Sequence, residues 1–156
     1  MSLLAILKAV HVLAVVIWVG GMAFVHFFLR PALAVLEPPQ RVRLMHAVLG
    51  RFFGAVLWAA GLVLASGLWI IGRIAKQAVQ SGGAFAMPLD WTVMSVVGVL
   101  MIAIFGHIRF VLYKRLDRAV QAGDMAAGGV ALGAIRTWVA VNLALGLALT
   151  AGVLVY

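Results

Sequence analysis

The chain has 156 residues, of which 66% are hydrophobic and 10% charged, with a mean hydropathy of +1.19 and a formal net charge of +8. So little charge cannot cover the surface of a soluble domain of this length, and the composition points to an integral membrane protein. The absence of cysteine excludes disulfides, thiolate metal sites and haem attached through a Cys-x-x-Cys-His motif.

Four windows contain no Lys, Arg, Asp or Glu: residues 9 to 29, 52 to 72, 91 to 108 and 137 to 156. They hold 21, 21, 18 and 20 residues, close to the ~20 that an α-helix needs to cross the hydrocarbon core. Lipid offers no partner to unpaired backbone groups, so helices are expected throughout. The expected fold is a single all-α domain over 1–156, an up-down bundle of four transmembrane helices near 3–35, 41–78, 89–120 and 126–156. The stretches EPPQ (37 to 40), SGGAFAMP (81 to 88) and QAGDMAAGG (121 to 129) supply the breaks. The first span is too long for the apolar core of a signal peptide, and a membrane-like sequence follows it.

Charge orients the bundle. Nine of the twelve Lys and Arg residues flank the first and third connections: Arg30, Arg41, Arg43, Arg51, Arg109, Lys114, Arg115, Arg118 and Arg136. The positive-inside rule then places those connections in the cytoplasm and both termini in the periplasm, for a multi-pass protein of the bacterial inner membrane. The +8 charge is thus accounted for by membrane flanks, and no nucleic-acid partner is expected. The membrane lipid is the expected surrounding, and a homo-oligomer is left open. Most of the glycines within the spans read as helix-packing positions.

The histidines carry the chemistry. A polar ring within a span is costly and signals a function. His11 lies roughly 12 Å to the outer side of the first span's middle, and His26 roughly 10 Å to its inner side, at ~1.5 Å per residue. His107, in the third span, falls at nearly the depth of His26. Two imidazoles at one level on different helices suit the axial ligation of a haem b. Arg30, Arg51 and Arg109 are then near enough to pair with propionates, and Asn142 supplies a polar neighbour. His11, Trp18, Met22 and His26 form one stripe, and His11 is expected to serve a second, outward site: another haem, a copper ion or a quinone-type partner. His46 reads as an interfacial histidine. On this reading the protein is cytochrome b-like and transfers electrons with a quinone or redox-protein partner; haem-dependent oxidoreductase activity is left open.

Copper is the rival metal, because Cu(I) favours thioether and imidazole. Met22 and His26 stand four residues apart, and Met94 and Met101 seven apart, although methionine is more often core filler. A copper-binding or copper-transport route would use His11, Met22, His26 and His107. A third reading makes the chain a cofactor-free partner subunit. No span holds a carboxylate, so acid–base catalysis has no support.

The segment HVLAVVIWVGGMAFVHFFLRPAL resembles the four-helix membrane domain of the CopD (copper-resistance protein D) family, in its short stand-alone form. The likeness runs from His11 through Trp18-Val-Gly-Gly21, His26 and Arg30-Pro31. It continues in Leu36-Glu-Pro-Pro-Gln-Arg41, Arg51-Phe-Phe53, Ser66-Gly67, Phe105-Gly-His107 and the stretch from Arg136 to Asn142. That resemblance implies copper handling. A more distant similarity to the HemJ family of haem-containing membrane proteins rests on the first-span His and Trp seven residues apart, the third-span His and the fourth-span Arg and Asn. HemJ-like proteins carry a lysine early in the third span, where this chain has WTVMSVV. The implied property is the capacity to hold b-type haem.

Overall fold

A computed structural model describes residues 2–155. Its architecture is four long helices: α1 (Leu3–Val35), α2 (Pro38–Gln80), α3 (Leu89–Gln121) and α4 (Met125–Val155). Each contains a stretch long and apolar enough to cross a membrane. The protein is an all-α, multi-pass membrane protein.

Local sequence explains where the helices begin and end. Ser2 opens α1 by accepting a hydrogen bond from the Ala5 amide at 3.2 Å. Glu37 and Gln40 form a capping box, with Pro38 and Pro39 in the first turn of α2. The EPPQ stretch therefore starts the second helix as well as ending the first, because a proline at the first helical position gives up an amide that has no partner there anyway. Helix α2 consequently begins three residues before the expected position 41. Gly82 (φ 81°) and Gly123 (φ 73°) take the left-handed conformation just beyond α2 and α3. Backbone bonds from Gly83 to Ala78 and from Asp124 to Ala119, both 3.0 Å, close the two ends. The Asp124 carboxylate then accepts from the Ala127 amide at 2.9 Å and caps α4, so the third connection shrinks to residues 122–124.

Three single π-helical turns interrupt the α-helical backbone: Val16–Gly20 and Val25–Leu29 in α1, and Ile108–Leu112 in α3. Such a turn widens the helix by one residue and rotates everything after it, and it often marks a functional position. Trp18 and His26 sit within the first two, and His107 directly precedes the third.

Sequence neighbours pack side by side, and α4 closes back onto α1. The core contains Trp18 and Met22 of α1, Leu49, Phe53 and Val56 of α2, Met101, Phe105 and Ile108 of α3, and Ile135, Val139 and Leu143 of α4. A run of aromatic contacts crosses it from Trp18 to Phe105 (ring centroids 5.9 Å), Phe53 (5.9 Å) and Tyr113 (5.6 Å). Lipid is as apolar as a leucine side chain, so association of these helices depends on close packing. Gly146 permits it: a methyl group there would come within 2.9 Å of Val19 and 3.0 Å of Met101. Outward faces carry Val12, Leu13, Trp58, Leu68 and Val96, all exposed and apolar, as a lipid-facing surface requires.

Candidate functional site

Three polar positions lie along the bundle interior, one toward each end and one in the middle. Toward the end that carries the termini, His11 packs between α1 and α2, with its Nδ1 atom 3.0 Å from Ser66 Oγ. The Ser66 hydroxyl itself donates to the carbonyl of Leu62. With that proton committed, Oγ is the acceptor and the His11 Nδ1–H the donor, which leaves Nε2 with its lone pair. Gly67 lets the ring lie close: a methyl group there would stand 3.3 Å from His11 Cε1. Ser66 is buried in an otherwise apolar stretch, so its role here was legible only once α1 and α2 were paired.

The middle is mostly apolar. Met22 and Met101 are buried, and Gly146 sits against the Met101 methyl. One turn from Gly146 along α4, Asn142 is fully buried, and neither atom of its amide has a hydrogen-bond partner. The indole Nε1 of Trp18 is buried and unpartnered as well. Unpaired amide and indole groups inside a membrane protein are costly, and so are rarely retained without a role.

At the arginine-rich end, α1, α2 and α4 border a partly open cavity of about 70 Å³ lined by His26, Arg30, Arg41, Met45 and the exposed Arg136 above a floor that includes Leu49 and Ile135. No carboxylate lines it. Arg41 is held in place by donating to the Leu36 carbonyl at 2.9 Å and to that of Ala34 at 3.4 Å. Nη1 of Arg30 and Nε of Arg41 are buried without partners.

The remaining expected site residues lie elsewhere. His107 is exposed and packs edge-on against Trp138, with centroids 5.4 Å apart, and it does not line the cavity of His26. Arg51 is exposed. Arg109 lays its guanidinium 5.2 Å over the ring of Tyr113 and 5.8 Å over that of Phe110. The arginines at His26 are thus Arg30, Arg41 and Arg136, not Arg51 or Arg109. Depth along a helix matched His26 with His107, but the direction in which each ring faces depends on packing and on the π turns. His46, read as a plain interfacial residue, has the most partners of the four histidines: Nε2 lies 2.8 Å from Asp117 Oδ1, and its ring stacks on Tyr113 at an interplanar angle of 3°. Among the described residues, no three His, Asp or Glu side chains converge as a metal cluster.

Against known families, the model described as copper resistance protein D (CopD) matches residues 46–155. The chain belongs to the CopD family. The match spans α2 to α4 and includes Met101, His107 and Asn142, whereas His11, Met22 and His26 lie before it. No curated protein and no solved structure matches the chain.

Proposed function

We propose that this CopD-family protein binds copper, as Cu(I), inside the bacterial inner membrane, with its arginine-rich end in the cytoplasm and both termini in the periplasm. The observation that carries this reading is His11, held by Ser66 so that Nε2 keeps its lone pair, together with the buried thioethers of Met22 and Met101 deeper in the same interior. Imidazole and thioether are the donors that Cu(I) prefers. At ~1.5 Å per residue, the eight residues from His11 to the level of Val19 and Met101 span roughly 12 Å. That distance exceeds one coordination sphere, so His11 and the buried methionines serve as separate stations. Copper is the substrate here, entering from the periplasmic side.

His26 is not assigned to copper. Three guanidinium groups share its cavity, and each like charge ~4 Å away costs on the order of 4 kcal/mol at an effective dielectric of about 20. A haem b held between His26 and His107 finds no support in the geometry either, because the two imidazoles do not share a cavity.

The test is Cu(I) titration of the purified protein against a chromophoric chelator, beside an absorption spectrum before and after dithionite. The expected result is Cu(I) binding that weakens at least tenfold in His11→Ala. Unchanged binding in both His11→Ala and a Met22→Leu/Met101→Leu double variant would overturn the proposal. A Soret band that is lost in His26→Ala and in His107→Ala would replace it with the cytochrome reading.

A further inference from the structure

The cavity around His26 has a chemistry opposite to that of a cation site. Three helices each contribute one guanidinium to it: Arg30 from α1, Arg41 from α2 and Arg136 from α4. Four acidic residues exist in the whole chain, and none of them lines this space. Arg30 and Arg136 are close enough to repel each other, a cost that neutral surroundings leave standing and that an anion would remove. Both Arg30 Nη1 and Arg41 Nε are buried donors with no acceptor, the costliest kind of unpaired polar group. The volume, about 70 Å³, leaves space for several waters and so for one compact tetrahedral group.

From this juxtaposition we infer that the cavity binds a phosphate oxyanion, clasped by Arg30, Arg41 and Arg136 with His26 beside it. Guanidinium forks pair with phosphate oxygens in parallel hydrogen bonds, and a tetrahedral group offers acceptors to three forks approaching from three helices. Basic pockets between transmembrane helices are established sites for anionic lipid headgroups. The same chemistry would take free phosphate. A phospholipid headgroup would leave its acyl chains on the apolar face beyond Leu33 and Val139, which also line the cavity. A bound anion would in addition join three helices at one end of the bundle.

The test uses the full-length, copper-free protein in detergent. Native mass spectrometry with added phosphatidylglycerol, and separately phosphatidylcholine, gives the lipid arm; thermal stabilisation by inorganic phosphate gives the free-anion arm. Retention of phosphatidylglycerol over phosphatidylcholine identifies a headgroup, whereas stabilisation by phosphate alone identifies the free anion. Either is expected to fall at least tenfold in affinity in Arg30→Gln/Arg136→Gln. Arg136→Lys keeps the charge but loses the fork, and is expected to fall by a smaller factor in a protein that still folds. An Arg73→Gln/Lys76→Gln control removes two charges at the other end and is expected to bind as the parent does. Binding of neither probe, or equal binding by the parent, Arg30→Gln/Arg136→Gln and Arg136→Lys, would overturn the inference.

Discussion

His46 Nε2 lies 2.8 Å from Asp117 Oδ1, joining α2 to α3 across 71 positions of sequence. The contact belongs to a small assembly. Tyr113 stacks on the His46 ring and donates its hydroxyl to the His46 carbonyl at 3.1 Å, while Gln121 donates to the other Asp117 oxygen at 2.9 Å. This assembly helps fix how α2 and α3 meet at the arginine-rich end, where Phe53 also packs against Tyr113.

A double-mutant cycle with His46→Ala and Asp117→Ala is expected to give a coupling of about 1 kcal/mol in thermal or denaturant unfolding. The two side chains are 24% and 39% exposed, so solvent screening holds the pair near the upper end of surface values. A coupling indistinguishable from zero would show that the His46–Asp117 contact does not hold the two helices together.

Ser66→Ala removes the group that orients His11 without touching a proposed copper donor. Loss of such a supporting hydrogen bond commonly costs 10–100-fold in metal affinity. Cu(I) affinity is therefore expected to drop about tenfold in Ser66→Ala, with Ser66→Thr recovering most of it. An unchanged affinity would remove Ser66 from the site.

Gly146→Ala places a methyl group against Val19 and Met101 and is expected to destabilise the bundle by about 1–3 kcal/mol through overpacking. Gly98→Ala, in a transmembrane helix with nothing within 4 Å of the added methyl, is expected to be neutral or mildly stabilising. Melting curves of the two variants in one detergent measure the difference.

Asn142→Leu replaces a fully buried, unpartnered amide with an apolar group of similar volume. Its removal is expected to raise stability by about 1–3 kcal/mol, the cost of an unpaired buried polar group. A loss of stability would mean that the amide finds a partner within the bundle.

Much of this protein could be read along the chain. Charge-free windows of about 20 residues gave four membrane spans, because hydrocarbon accepts only closed helices. The breaks showed in EPPQ, SGGAFAMP and QAGDMAAGG, whereas the capping box of Glu37 and Gln40 and the left-handed Gly82 and Gly123 came with the structure. The stripe of His11, Trp18, Met22 and His26 was also expected from the periodicity of α1; Trp18 and Met22 are buried, His11 and His26 half-buried. What each polar group meets was not legible. Position along a span sets depth, which is why His26 and His107 looked like partners; the direction around the helix axis depends on which faces pack, and π turns in α1 and α3 change it. The partner of His11 stands 55 residues away and that of His46 stands 71 away. The arginines around His26 come from three helices. Local sequence determined the helices and their lengths because hydrophobic length and capping act over a few neighbouring residues; only helix packing, which brings distant side chains to one depth and one facing, decided which histidine meets a serine and which lies in a basic cavity.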